Sequence, residues 1–258
     1  VISEGVTEIG GGAFADCTSL TSVVIPSSVT EIGKNAFSGC ASLTSIIVEE
    51  GNSVYDSREG CNAIIETATN KLIKGCNSTI IPSSVTEILG GAFWDCTSLT
   101  SIVIPEGVTA IGYRVFQNCT SLTSVVIPSS VTKIGDEAFR GCTSLKSIEF
   151  PQSLTVIDYE AFKDCSSLTS VVIPSSVTKI IFNAFEGCSS LTSIVVEEGN
   201  SVYDSREGCN AIIETATNTL IKGCNSTIIP SNVTKIGKNA FSGCASLTSI
   251  VIPKSVTK

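Results

Sequence analysis

The chain has 258 residues, 42% hydrophobic and only 16% charged, with 24 acidic against 16 basic residues and no histidine. This composition excludes a disordered segment, which needs low hydropathy and high charge. A net charge of −8 with no Lys/Arg run argues against a nucleic-acid partner, whose phosphates demand a basic stripe.

Read from the N-terminus, one phrase keeps returning. Its aromatic sets the beat at Phe14, Phe37, Phe93, Phe116, Phe139, Phe162, Phe185 and Phe241, with a step of 23 residues and two gaps of 56, after Phe37 and after Phe185. A fixed period in this range means a solenoid, in which each unit buries its apolar face against its neighbours. In the copy from Leu20 to Cys40, the alternation of Val23 and Ile25 predicts a strand with both side chains inward. Pro26 cannot donate to a ladder and ends that strand. Val29 and Ile32 supply a second, shorter extended piece, and Gly33 permits a sharp bend. Asn35 to Gly39 is too short for a stable helix and predicts one helical or 3₁₀ turn, with Phe37 filling the coil and Ala36 packed closely.

The two long gaps are not linkers. Residues 49–84 and 197–232 are near-duplicates, offset by 148 residues. In the first, Ala63-Ile64-Ile65 and Leu72-Ile73 flank Thr67-Ala68-Thr69-Asn70, a hairpin signal, so a hairpin replaces the aromatic arc of one turn. Such near-identity points to recent duplication or to an engineered repeat. The chain opens at Val1-Ile2 and closes at Val251-Ile252-Pro253 in the same phase of the repeat, and is expected to be one solenoid, 1–258, cut from a longer array. No apolar stretch approaches the roughly 20 residues that span a bilayer, so no membrane insertion is expected of this segment.

The repeated Leu-x-x-Ile-x-Ile-Pro-x-x-Val-x-x-Ile-Gly-x-x-Ala-Phe-x-x-Cys positions, as in Leu122 to Cys142, resemble the BspA-like (treponemal-type) leucine-rich repeat family. Eight copies of the Ala-Phe-x-x-Cys arc, with Val115 replacing Ala in one, carry the resemblance over essentially the whole chain. The resemblance implies an α/β leucine-rich repeat fold: a curved, right-handed solenoid, β-dominated with short helical or 3₁₀ turns and a parallel sheet on the concave side. Counting the hairpin units, it would have about ten coils. Proteins of this family are commonly surface-exposed or secreted and bind host extracellular-matrix proteins or other cells.

Eight of the 12 cysteines, Cys17, Cys40, Cys96, Cys119, Cys142, Cys165, Cys188 and Cys244, follow the core Phe by three residues and read as a column of small buried thiols. Cys61 and Cys76, with Cys209 and Cys224, bracket the hairpins. Each pair is either a disulfide closed in an oxidising compartment or two buried free thiols. No close C-x₂₋₄-C pair offers a zinc site. The acidic run Glu49, Glu50, Asn52, Asp56 and Glu59 lacks the calcium-loop spacing, so no metal or other cofactor is expected. Asn77, Asn118, Asn225 and Asn232 fit the glycosylation acceptor pattern. Without histidine the commonest general base is missing, and the serines and threonines recur in nearly every coil where a catalytic residue should be singular, so the chain is not expected to be an enzyme.

Strand alternation turns Ser22/Val24, Ser45/Ile47, Ser101/Val103, Ser124/Val126, Ser170/Val172, Ser193/Val195 and Ser249/Val251 outward, and Ile80 and Ile228 continue the line. A continuous exposed apolar strip marks a contact surface, though β-branched residues also simply favour strands. Leu145 to Phe150 interrupts it with Lys146 and Glu149. Val103, Val126, Val172 and Val195, with Lys146 and Glu149, are the expected protein contacts. The residue after Val-Thr runs from Glu8, Glu31 and Glu87 to Lys133, Lys179 and Lys235, a gradient that favours head-to-tail association of copies. The expected function is a non-enzymatic, cell-surface or secreted adhesion module that binds protein partners. The alternative is a structural spacer that stacks end to end.

Overall fold

The computed structural model describes residues 2–258. They wind into a right-handed β-solenoid of about eight turns, interrupted by two hairpin-bearing units. Each regular turn contributes a long strand, a short strand and an arc. The long strands pair in parallel one turn apart: Ser22–Ile25 with Ser45–Val48, Ser101–Val103 with Ser124–Val126, and Ser170–Ile173 with Ser193–Val196. The short strands come from the Val-Thr-x-Ile segments. Four of them, Ala110–Ile111, Lys133–Ile134, Val156–Ile157 and Lys179–Ile180, form a parallel ladder through the middle of the chain. Val23, Ile25, Val29 and the equivalent residues of other turns lie in the core, as the alternation predicts.

The long-strand sheet is not continuous. Residues 78–82 and 147–150 form no strand, which leaves three two-stranded ladders. At the second break Phe150 occupies the inward position held elsewhere by Ile or Val, and its ring meets Phe162 edge-on at 5.6 Å.

The arcs are not helical. Among the described residues, helix is confined to two 3₁₀ turns in the hairpin units, Arg58–Gly60 and Arg206–Gly208. The reason is a pair of left-handed residues in every arc, four positions apart: Asn35 and Gly39, Gly91 and Asp95, Arg114 and Asn118, Glu137 and Gly141, Glu160 and Asp164, Asn183 and Gly187. A left-handed residue cannot continue an α-helix. Instead, alternate peptide N–H groups turn out of the arc and donate to the next turn. Arg114 N donates to Asp136 O, Phe116 N to Ala138 O and Asn118 N to Arg140 O, while Ala138 N and Arg140 N close local turns on Gly135 O and Glu137 O. The arcs are thus a third hydrogen-bonded wall, with these N–H groups all pointing towards the C-terminal end.

This wall sets the aromatic column. Phe93, Phe116, Phe139, Phe162 and Phe185 stack with ring centroids 5.2–5.4 Å apart, and all are buried. The thiol three residues later donates to the Phe carbonyl of the preceding turn: Cys119 Sγ to Phe93 O at 3.2 Å, Cys142 to Phe116 O at 3.1 Å, and Cys165 to Phe139 O at 3.2 Å.

The hairpins interrupt both columns. Tyr55–Asp56, Ala63–Glu66 and Lys71–Gly75 run antiparallel, and Lys71-Leu72 then joins the short-strand wall beside Glu87–Ile88. Asn52 pins the insertion to the turn before it: Nδ2 donates to Pro26 O and Val29 O, and Oδ1 accepts from Val54 N and Tyr55 N. Asn200 repeats these contacts. Gly75 lies against the Phe93 ring, where any Cβ would clash. The hairpin strand is buried on both faces, so it divides the core. Ile64 packs with the N-terminal turns, while Ala63 and Ile65 pack with the central ones. Ile212 likewise faces the central core, and Ala211 and Ile213 the C-terminal one.

Phe139→Ala removes a fully buried ring with stacking partners on both sides and should cost about 3–5 kcal/mol. Phe14 is only half-buried and stacks on Phe37 alone, so Phe14→Ala should cost clearly less. Urea unfolding of the two variants checks the order.

Candidate functional site

The long strands place the predicted contact residues as the alternation requires. Val103, Val126, Val172 and Val195 are 62%, 53%, 47% and 43% exposed, with Ile47 also in line. Val103 and Val126 are register partners, and so are Val172 and Val195. Ile80 and Ile228 extend the exposed line through the hairpin units, while Val24 is only half-buried. Between the two valine pairs lies the strandless segment, with Lys146 and Glu149 both exposed. The face is therefore two apolar patches flanking one charged step, not an unbroken ribbon. Its threonines are tied up: Thr123 Oγ1 donates to Thr100 O, Thr169 Oγ1 to Lys146 O and Thr192 Oγ1 to Thr169 O.

The hairpin cysteines are free. Cys61 Sγ is turned to Ala63 O at 3.9 Å and Cys76 Sγ to Asn62 O at 3.3 Å, with Cys209 and Cys224 alike. Burial pushes the Cys96 thiol up to about 11 and that of Cys188 to about 12. It raises Cys119 and Cys165 well above the ordinary thiol value too. The thiolate is the reactive form, so these side chains serve as packing.

The acidic loop is structural. Asp56 holds Arg58 through two guanidinium nitrogens, and Arg58 also reaches Asn70 Oδ1. Glu49 Oε2 accepts from Ser27 N. Among the described residues no group of three or more His, Cys, Asp or Glu is placed to hold a metal ion. Asn77 Nδ2 donates to Ala41 O and Leu43 O and its Oδ1 accepts from Ser98 N, so this amide bridges two turns and is not free to carry a glycan. Asn225 is held in the same way, and Asn118 Nδ2 donates to Asp95 Oδ1.

Sequence reading missed a charge ladder on the arc wall. Arg114 pairs with Glu137, Glu137 with Arg140, Arg140 with Glu160, Glu160 with Lys163, and Lys163 with Glu186, at 2.9–3.3 Å. Partial burial works against ionisation of Glu160. Hydrogen bonds from Tyr159 and Lys163 and the Lys163 and Arg140 charges nevertheless hold its carboxyl below the ordinary range. The signal is visible in Glu137-Ala-Phe-Arg140 and Glu160-Ala-Phe-Lys163 once the copies are aligned.

A leucine-rich β-solenoid with an extended exposed strand face is the class these features define. The BspA type leucine rich repeat region matches residues 1–61, 63–192 and 210–258, and the chain belongs to that family. A leucine rich cell surface protein from Faecalibacterium prausnitzii A2-165 is 33% identical over 78% of this chain and 60% of its own, with a TM-score of 0.67. A leucine-rich repeat protein from Eubacterium ventriosum is 25% identical over 99% of this chain and 61% of its own, with a TM-score of 0.69. The pneumococcal vaccine antigen PcpA, 20% identical over 99% of this chain and 54% of its own, shares the fold at a TM-score of 0.55. The chain thus spans about 60% of the length of the first two solved structures. A comparison with curated proteins finds no match.

In the native chain a water-soluble thiol reagent should modify Cys17, the one exposed cysteine, first and the half-buried Cys244 next. Cys119, Cys142 and Cys165 should react only after unfolding. Mass spectrometry of alkylated peptides against time reads the order.

Proposed function

We propose that the chain is a non-enzymatic protein-binding module of a cell-surface or secreted adhesion protein, and that the long-strand face makes the contact. One observation carries this reading: Val103 and Val126, and Val172 and Val195, stand exposed as register partners on adjacent turns, one pair on each side of the Lys146/Glu149 step. Repeated aliphatic exposure at one position is costly to keep in water unless a partner covers it. The valine patches would supply apolar burial, and Lys146 and Glu149 would orient the partner, since charges at an interface set register more than affinity. Membership of the BspA-type family and the similarity to a cell surface protein support the compartment, and host matrix proteins are the partners to try first.

Val103→Glu, Val126→Glu, Val172→Glu and Val195→Glu together should abolish adhesion to immobilised matrix proteins with the fold intact by circular dichroism. Unchanged binding would remove this face from consideration.

A second reading, head-to-tail association, is favoured by one column of the short strands. Glu8 and Glu31 are register partners at the N-terminal end, and Lys133 and Lys179 fall at the same position further on, all exposed. Exposed charges are screened by salt. Sedimentation should therefore show association at low ionic strength that disappears at high salt. A monomer at every concentration removes the reading.

A further inference from the structure

Each hairpin unit omits the arc, and a cavity opens where the arc would lie. The first cavity, about 280 Å³, sits between the Phe37 and Phe93 arcs; its twin, about 220 Å³, sits between those of Phe185 and Phe241. Where one arc directly follows another, the outward Phe N–H is consumed by a carbonyl of the next turn, as when Phe14 N donates to Ala36 O and Phe116 N to Ala138 O; at the second cavity Asn183 N and Phe185 N have no such acceptor. At the first cavity the corresponding donors, Asn35 N and Phe37 N, have no acceptor, and both residues line the space. Unpaired N–H groups on a backbone with left-handed residues can donate to an anion.

The side chains separate the twins. The first cavity is lined by Lys34 and Lys74 and by no carboxylate. Lys74 is only 6% exposed as a residue and lines the cavity, and among the described residues it makes no ion pair and no side-chain hydrogen bond. In the second cavity, Glu186 and Glu214 balance Lys222 and Lys238. Lys222 Nζ donates to Ser242 O at 2.9 Å, and Lys238 sits over the Phe182 ring. Asn239 Nδ2 to Asn183 Oδ1 and Ser242 Oγ to Glu186 Oε1 bolt the flanking arcs together there. At the first cavity Gly91 replaces that asparagine and Trp94 that serine, so no such bolt forms.

We propose that the Lys74 cavity is an anion site that takes one oxyanion group, held by the Lys74 ammonium and the Asn35 and Phe37 N–H groups, and that the duplicated Lys222 cavity is not. The site is independent of the long-strand face. The anion could be a free ion or the acidic end of a sulfated glycan.

The test is a titration of the ¹⁵N-labelled chain with inorganic sulfate and, separately, with a sulfated disaccharide. The Asn35 and Phe37 amide resonances should shift saturably, while Asn183 and Phe185 stay in place. Lys74→Met should weaken binding by about tenfold or more, the usual worth of a charged hydrogen bond, and Lys222→Met should not change it. Equal affinity for the two probes supports a free-ion site; tighter binding of the disaccharide supports the glycan. Equal behaviour of the two amide pairs, or wild-type affinity in Lys74→Met, overturns the proposal. Because the twin cavities are compared within the wild-type chain, the test survives a variant that fails to fold.

Discussion

Within the continuous run of arcs each phenylalanine is held over the next because its own peptide bonds to the neighbouring turn, Phe116 N to Ala138 O and Phe139 N to Ala161 O. That contact fixes the rise per turn at the ring spacing of 5.2–5.4 Å, close to the separation of β-strands. Strand walls and arc wall then share one repeat distance, and both can hydrogen-bond without strain. Everything outward follows from it. Once the aromatic and the inward aliphatics are committed to the stack, the intervening strand residues have only solvent to face, and the valine patches are the result.

The arc geometry also explains the residues around the aromatic. Two left-handed positions bracket Ala-Phe-x, and the residues there are mostly Gly, Asn and Asp, which tolerate that conformation best. Arg114, Glu137 and Glu160 are exceptions at the first of these positions. All three belong to the charge ladder, whose partly buried ion pairs offset the backbone cost.

Much of this was legible in the chain itself. The step of 23 residues gave the stack, alternation at Val23 and Ile25 gave inside and outside, and Thr67 to Asn70 gave the hairpin. Three features were not legible. The arcs read as one helical or 3₁₀ turn each, and the left-handed pair that shapes them has no periodic signature of its own; only comparison of Gly39, Asp95, Asn118, Gly141 and Asp164 across turns exposes it. The break at 147–150 coincides with Phe150, whose ring meets Phe162, a contact that linear reading does not display. The cavities arise from an arc that is missing, and a linear reading counts what is present. Lys74 and Lys222 occupy equivalent positions in near-identical repeats, and their environments differ through residues of the flanking arcs on both sides: Lys34 and Phe182, Ser38 and Glu186, Gly91 and Asn239, Trp94 and Ser242.

Near-identical turns create a hazard in folding, since a strand can dock one turn out of place and still find the same apolar partners. The duplicated hairpin units raise the stakes, because either could template the other's neighbours. The ladder from Arg114 to Glu186 counters this. No other stretch of the molecule carries that succession of signs, so a slipped middle section would leave carboxylates facing carboxylates. Those six residues act as an address label, telling otherwise interchangeable turns where in the pile they belong.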